Sequence, residues 1–123
     1  GIITAATILS EIGDPSHYTK AKQLIKLAGT QPVPNTSGRK TRSQTPMSHK
    51  GRHRLRTALF FAVMRLVQVD EVFAREYLRL QTREKNPLVK MQALGALMNK
   101  LLRILWALMR DRTFYNPGFQ GIA

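Results

Sequence analysis

The spacing of apolar residues along the chain predicts helices rather than strands. Apolar side chains recur every three or four residues in several stretches, which is the period of an α-helix with one buried face. No stretch shows a sustained alternation of apolar and polar residues. We therefore predict an all-α fold of about five helices around one core. The predicted helices cover residues 3–12, 20–28, 52–67, 71–84 and 88–110.

Residues that favour helix ends lie at several of these boundaries. Gly13 and Gly29 follow the first and second helices, where glycine can adopt the left-handed backbone of a helix C-terminus. The predicted N-caps are Thr19, Asp70 and Asn86, the last followed by Pro87 as the first helical residue. Between the first two helices, "DPSHY" predicts a turn or a single helical turn.

Two of the predicted helices carry long apolar stripes that should form most of the core. The stripe of the third helix consists of Leu55, Leu59, Ala62, Val63 and Leu66. The stripe of the fifth helix consists of Leu94, Leu97, Leu101, Leu105 and Leu108. The short second helix is predicted to turn its apolar residues inward and its lysines outward.

The segment between the second and third helices lacks any hydrophobic period. From about residue 30 to residue 51 it contains three prolines and many Ser, Thr, Gly and Asn residues. A loop this long is uncommon inside a compact domain and is usually functional or disordered. We expect this long basic loop to be poorly ordered in the absence of nucleic acid.

Positive charge is concentrated in the first half of the chain. The chain has 123 residues, a length that fits one domain, with 20 Lys and Arg against seven Asp and Glu and a net charge of +13. Residues 15–69 contain eleven of these cations and no acid. Such a segment repels itself unless a polyanion neutralises it, and a nucleic-acid backbone is the usual partner. A solvated basic surface, or a contact with anionic lipid or a ribosome-like particle, is the alternative.

Several classes of protein are excluded by what the sequence lacks. There is no cysteine, which excludes disulfides, thiolate metal sites and cysteine nucleophiles and suits a reducing cytoplasm. No apolar run reaches the roughly 18 residues of a membrane span, and the first residues are not expected to be a signal peptide because they lack a basic region. His49 and His53 have the i,i+4 spacing of one helix face, but no third metal ligand is evident. No phosphate-binding loop or dinucleotide motif occurs.

A hydroxyl nucleophile remains as candidate chemistry. Ser37 lies in "TSG" within the basic loop and is followed by three cations. Cations beside an exposed serine suit attack on a phosphate, because they stabilise the charge that develops on the non-bridging oxygens. The general base would have to be His49, His53 or a group outside this chain. From the residues alone, an ordinary turn is the favoured explanation of Ser37.

The cations that follow Ser37 are the predicted nucleic-acid contacts. They are Arg39, Lys40, Arg42, Lys50, Arg52, Arg54 and Arg56. The last two belong to "HRLR", a pattern that is also reminiscent of tyrosine recombinases, with His53 and Arg56 in the site and Tyr115 as the nucleophile. The simpler interpretation of this motif is that its arginines hold phosphate while Leu55 packs inward.

Four blocks of sequence resemble one family. They are "ITAATILSEIGD" at 3–14, "AKQLIKLAGTQPVPNTSG" at 21–38, "MSHKGRHRLRTALFFA" at 47–62 and "KLLRILWAL" at 100–108. The combination of T-A-A…E-I-G-D, L-x-x-x-A-G-x-x-P…S-G and M-S-x-x-G…L-R-x-A-L is specific and runs along nearly the whole chain. On these motifs the chain resembles the C-terminal domain of IS110-type insertion-sequence transposases and of the related Piv-type DNA invertases.

The resemblance implies a DNA recombinase built from two parts. An N-terminal RuvC-like domain carries four acids, D-E-D-D, that bind divalent metal, expected to be magnesium, and a C-terminal domain carries a serine. The serine of the family's S-G motif falls on Ser37, which the resemblance implies to be the nucleophile that forms a phosphoserine link. Deprotonation would then come from the acidic site, completed across protomers. The implied partners are DNA, a guide RNA in many members, the RuvC-like domain of the same or another protomer, and further copies in a homo-oligomer.

Two departures from the family pattern concern what precedes the T-A-A motif. The family usually has a P-G-I-G turn there, and this chain begins at Gly1 within that turn. The RuvC-like domain is absent. Residues 1–123 are therefore expected to be a single C-terminal domain of a longer protein, cytoplasmic in a bacterium or archaeon, without a cofactor of its own and inactive alone. The loop "RKTRSQTP" also differs from the more glycine-rich version expected, so the family's contacts there do not carry over.

Three hypotheses stay open on the sequence. The first is a catalytic domain that attacks DNA through Ser37. The second is a binding module, in which the basic helix and loop hold DNA or RNA and Ser37 only lines the backbone. The third is a tyrosine-recombinase-like fragment, for which Tyr115 would be essential and Ser37 dispensable.

Overall fold

The computed structural model describes residues 1–30 and 53–111, which form five α-helices and one 3₁₀ turn. The helices are α1 (Ile2–Ile12), α2 (Ala21–Ala28), α3 (His53–Val69), α4 (Glu71–Thr82) and α5 (Lys90–Asp111), with the 3₁₀ turn at Pro15–His17. These two ranges contain no strand, and the predicted all-α fold of about five helices is confirmed. Within them, no helix combines the length and the apolar character needed to cross a membrane. The predicted basic loop falls outside the described residues from position 31 onward.

The core is built around the apolar faces of α3 and α5. On α3, Leu55, Leu59 and Val63 are fully buried, and on α5 the predicted stripe is buried at Leu97 and flanked by the fully buried Leu102. The other helices and the 3₁₀ turn pack around this pair: α1 lies against α3, α4 against both, and α2 mainly against α5. Each of these helices contributes its own apolar side chains to one continuous cluster. The hydrophobic period of the sequence therefore gives both the helices and the faces they bury.

Three of the predicted boundaries are confirmed. Gly13 and Gly29 follow α1 and α2 with φ angles of 72° and 73°, a region that residues with a Cβ rarely adopt. Asp70 is the N-cap of α4, where its carboxylate accepts a hydrogen bond from the backbone N–H of Phe73 at 3.0 Å. A single 3₁₀ turn occurs where "DPSHY" predicted one.

Two predicted N-caps are wrong. The N-cap of α2 is Lys20 rather than Thr19. The Gln23 side chain folds back and accepts hydrogen bonds from the backbone N–H groups of Thr19 at 2.8 Å and Lys20 at 3.4 Å. Asn86 does not cap α5, which begins at Lys90. Asn86 instead has a positive φ of 53° and closes the turn after α4. The chain packs back on α4 before α5 begins, since the backbone N–H of Leu88 donates to the Leu80 carbonyl at 2.9 Å.

We predict that truncating a buried side chain of α3 destabilises the chain far more than truncating an exposed one of α4. Leu59→Ala should lower the free energy of unfolding by about 2–5 kcal/mol, because it leaves a cavity in a packed core. Leu78→Ala is the matched control, since Leu78 is 63% exposed, and should change the free energy by less than about 0.5 kcal/mol. Urea unfolding followed by far-UV circular dichroism measures both. Equal effects would show that α3 is not at the centre of the core.

Candidate nucleic-acid interface

Most of the predicted site lies outside the described residues. These positions are Ser37, the five cations Arg39, Lys40, Arg42, Lys50 and Arg52, and also His49 and Tyr115. Ser37 and these five cations belong to the segment between α2 and α3, and the structure describes the residue on each side of that segment. One end is Thr30, directly after α2, and the other is His53, the first residue of α3. It also places Arg54 and Arg56, the two remaining predicted contacts.

The end of α2 is held in a tightly hydrogen-bonded turn. With Gly29 in the left-handed conformation, its backbone N–H donates to the carbonyls of Ile25 and Lys26, both at 3.1 Å. The backbone N–H and the hydroxyl of Thr30 then both donate to the Ile25 carbonyl, at 3.3 and 3.4 Å. Thr30 is only 1% exposed. The chain therefore leaves α2 at a buried, fixed point.

A side chain of α5 holds the same point from the other side. The amide Nδ2 of Asn99 donates to the Thr30 carbonyl at 3.3 Å. The amide oxygen of Asn99 is buried and accepts no hydrogen bond from residues 1–30 or 53–111. An unpaired buried polar atom costs on the order of 1–3 kcal/mol. Loss of the Asn99 amide would in turn leave the buried Thr30 carbonyl without this donor.

Arg56 connects the start of α3 to the end of α2. One guanidinium nitrogen, Nη1, donates to the carbonyl of Ala28 at 3.3 Å, and Nη2 lies 3.3 Å from Nδ1 of His53. Ala28 belongs to the last turn of α2, where carbonyls lack donors within the helix and where a cation is favourable. The two ends that flank the Ser37 segment are thus joined by one side chain.

Arg54 has a different environment although it lies only two residues away. Its side chain is 79% exposed, and its Nε is 3.6 Å from a carboxylate oxygen of Glu11 on α1. Between the two arginines, Leu55 is fully buried, as the sequence predicted. The Arg54 guanidinium therefore lies at the surface, next to a Glu11 side chain that is 21% exposed. The phosphate roles of Arg54 and Arg56 stay predictions.

The lysines of α2 form a second basic surface. Lys20, Lys22 and Lys26 line, with Gln23, an open groove of about 310 Å³. Lys22 and Lys26 are one helical turn apart and so lie on the same face. No ion pair within the described ranges involves these lysines.

Most acids in the described ranges form hydrogen bonds or ion pairs within their own turn or helix. Asp14 and Asp70 accept hydrogen bonds from backbone N–H groups at helix starts, and that bond holds the pKa of Asp14 below its usual value. Glu76 and Asp111 each pair with an arginine of their own helix, and the arginine hydrogen bond likewise lowers the pKa of each. Glu11 is the acid that reaches the start of α3. The cations of α2 and of the α3 N-terminus are therefore largely unneutralised by neighbouring acids.

The described residues contain no group of three or more His, Cys, Asp or Glu side chains that could hold a metal ion. The described residues therefore offer no site for the divalent metal, which the resemblance places on a separate acidic domain. We derive no catalytic step of this chain through a metal.

The "HRLR" motif brings two of its residues together, since His53 and Arg56 are in contact. Tyr115, the third residue of the tyrosine-recombinase hypothesis, lies outside the described residues. The motif therefore supplies a contact between neighbouring turns of one helix. That contact does not by itself distinguish a recombinase site from a helix start.

Sequence reasoning missed Asn99 and Thr30. Asn99 lies four residues after Gly95 and three before Leu102, both of which are buried. A polar residue next to the buried stripe of an otherwise apolar helix is a signal that could have singled it out. Nothing in the pattern around Thr30 marks its burial, which depends on a contact with a residue 69 positions away.

Comparison with known proteins gives a consistent family. Residues 1–78 match the model of the transposase IS116/IS110/IS902 family. The chain is 30% identical over 115 residues to the insertion element IS110 uncharacterized 43.6 kDa protein of Streptomyces coelicolor, covering 94% of this chain and 27% of that protein. It is 32% identical over 118 residues to the insertion element IS116 uncharacterized 44.8 kDa protein of Streptomyces clavuligerus, covering 95% and 28%.

A third relative has a name that describes an inversion of DNA. The chain is 33% identical over 109 residues to the pilin gene-inverting protein of Moraxella bovis, covering 88% of this chain and 33% of that protein. The chain thus spans about a quarter to a third of the length of these relatives. No solved structure matches it. The family match covers more than half of the chain and includes α1, α2, α3 and the S-G motif, so this chain belongs to the IS116/IS110/IS902 family of transposases.

Proposed function

We propose that this chain is the nucleic-acid-binding and serine-bearing domain of a DNA transposase, and that Ser37 is its nucleophile. The observation that carries the proposal is the family match over residues 1–78, which includes Ser37 and the seven cations that follow it. The pilin gene-inverting relative supports rearrangement of DNA as the reaction, since its name describes an inversion of a gene. DNA is accordingly the proposed substrate.

The proposed reaction is a transfer of a DNA phosphate to the serine hydroxyl. The Ser37 Oγ forms a bond to phosphorus, and the bond from phosphorus to one bridging oxygen breaks. The departing strand end leaves as an alcohol after it takes up a proton. The positive side chains after Ser37 stabilise the negative charge on the non-bridging oxygens. In this proposal the proton of the hydroxyl passes to a base in the acidic site of another domain, as the family resemblance implies.

The rest of the proposed enzyme lies in a longer protein. The relatives are about three to four times as long as the matched segment, which leaves room for a RuvC-like domain with its D-E-D-D acids. That domain would hold the divalent metal, expected to be magnesium. We further propose that the acidic site is contributed by the same or another protomer of a homo-oligomer in the cytoplasm, and that a guide RNA is a second nucleic-acid partner.

The alternative function is a binding module without its own chemistry. The exposed Arg54 and the lysine groove of α2 favour it, because both offer charge to a phosphate backbone whether or not Ser37 reacts. The tyrosine-recombinase hypothesis would instead place the covalent bond on Tyr115. Both alternatives differ from the main proposal in what they predict for a serine variant.

We predict that Ser37→Ala in the full-length protein abolishes strand cleavage and leaves DNA binding within about tenfold. One hydrogen bond contributes at most about 1.5 kcal/mol to binding, whereas no other group can replace the nucleophile. Cleavage of a labelled element end and anisotropy binding of the same DNA measure the two effects. Tyr115→Phe is the matched control and should cleave normally. Cleavage by the alanine variant, or loss of cleavage in the phenylalanine variant, would remove Ser37 from the mechanism.

We also predict that the chain binds DNA with a steep salt dependence and weak sequence preference. If about five cations meet phosphates, log K should fall with log salt at a slope of about −4 to −5. Replacing Lys50, Arg52 and Arg54 by Gln should make the slope shallower by about 2.5 to 3. The same change of charge at Lys20, Lys22 and Lys26 is the control. If the lysine variant loses the slope and the first variant keeps it, the contact surface lies on α2.

A further inference from the structure

One side of α3 presents an aromatic ring to solvent between two cations. Phe61 is 58% exposed, although it lies on the helix that supplies the centre of the core. Arg54 precedes it by seven residues and Arg65 follows it by four, and these spacings place all three side chains on the same side of the helix. We call these three residues the surface stripe of α3. It extends about 16 Å along the helix axis at the rise of an α-helix.

The ring of Phe61 is supported by its neighbour in the sequence. Phe60 packs against the core, and the two rings meet edge to face, with their centroids 5.9 Å apart and an angle of 66° between their planes. This is a favourable arrangement of two aromatic rings. A ring supported in this way has less side-chain freedom to lose when a planar partner stacks on its exposed surface.

The charge on both sides of the ring is positive. The Arg54 side chain is 79% exposed, and Arg65 is also exposed and forms no ion pair with any residue of 1–30 or 53–111. Within these ranges the Glu11 carboxylate approaches the stripe, 3.6 Å from Nε of Arg54. Residues 15–69 contain no acid. The surface stripe is therefore complementary to a polyanion that also offers flat apolar surfaces.

Unpaired nucleotides have both properties, whereas a duplex has only the charge. In a duplex the bases stack on one another and present their edges to the grooves. In a single strand the base faces are accessible, and aromatic side chains beside cations are the usual platform on which they stack. An apolar protein surface would match Phe61 but would leave the two guanidinium groups beside it without a counterpart.

We propose that the surface stripe of α3 binds an unpaired strand of nucleic acid, with a base stacked on Phe61 and phosphates held by Arg54 and Arg65. The inference deepens the proposed function and rests on it, because it takes nucleic acid as the partner and adds the form that this surface recognises. It does not involve Ser37. Arginines that meet phosphates release counterions, whereas stacking on a neutral ring does not. The ring and the cations therefore have separable effects on binding.

Three substitutions of Phe61 in the full-length protein test the stacking contact. Fluorescence anisotropy measures binding of an oligothymidylate, an oligouridylate of the same length and a DNA duplex. Phe61→Ala should weaken binding of the single strands by about fivefold or more, with an unchanged salt slope, and change duplex binding by less than about twofold. Phe61→Trp should bind the single strands at least as tightly as the unchanged protein. Phe61→Leu keeps an apolar side chain but no ring, and should bind as weakly as Phe61→Ala.

Two further variants serve as matched controls. Arg65→Gln should make the salt slope for the single strands shallower by about 0.7, because it removes one phosphate contact. Leu78→Ala removes a similarly exposed apolar side chain from α4, and should change neither the affinity nor the slope. A loss with only one of the two single strands would support the inference and assign the contact to DNA or to RNA.

Three results would overturn the inference. Normal single-strand binding by Phe61→Leu would show an apolar contact without stacking. An equal loss of duplex and single-strand binding in Phe61→Ala would show that the surface does not select unpaired bases. A change in the oligomeric state of Phe61→Ala by sedimentation, with normal binding of all three nucleic acids, would show that the ring holds a second copy of the protein.

The same measurements separate this inference from the proposed function. If the unchanged protein binds none of the three nucleic acids, both fail. If it binds them and Phe61→Ala binds the single strands normally, the inference fails alone. Ser37→Ala should bind the single strands as the unchanged protein does, so cleavage by Ser37→Ala would remove the proposed nucleophile and leave the surface stripe unaffected.

Discussion

The burial of one face of α3 is the constraint on which the rest of the structure depends. Leu55, Leu59 and Val63 are all fully buried, and α3 contacts each of the other four helices. Rotating α3 by even one residue would expose this stripe and bury the arginines beside it. The buried stripe stabilises the fold and also fixes the rotation of α3, so that Arg54 faces solvent and Arg56 faces α2. Hydrophobic packing in this way places two chemically identical side chains in two different environments.

The charge distribution follows from the same division between core and surface. The acids of the described ranges are used mostly as caps and partners within single helices, and the cations of α2 and the α3 N-terminus have few such partners. A polyanion brought to this side of the molecule meets cations that are largely unneutralised. The buried turn at Thr30 and the guanidinium of Arg56 then define where the serine-bearing segment joins a rigid frame.

How far the sequence predicts this structure depends on whether a feature is local. The apolar stripes of α3 and α5 predicted both the helices and their buried faces, because period and burial are tied in a helix. Gly29 and Asp70 were predicted for the same local reason. The prediction for Asn86 was wrong because asparagine favours both an N-cap and a left-handed turn. Here it forms the turn, after which the backbone N–H of Leu88 donates to the Leu80 carbonyl.

The unpredicted contacts of the candidate site join distant parts of the chain. A hydrophobic pattern tells which face of a helix is buried but not which carbonyl lies opposite, so the contacts made by Arg56 and Asn99 could not be derived from it. Within the candidate site, the cations were evident from their spacing without acids. The role of Ser37 came from a resemblance in its S-G motif, because a serine in a basic turn has no chemical signature of its own.

The most direct test of the central claim is the identity of the residue that becomes covalently joined to DNA. The full-length protein is incubated with a nicked element end that traps the intermediate, and the adduct is digested and mapped by mass spectrometry. The account predicts a phosphoserine ester on the peptide that contains Ser37, and no adduct from the chain without its acidic domain. An adduct on Tyr115, or cleavage without any covalent intermediate, would contradict it.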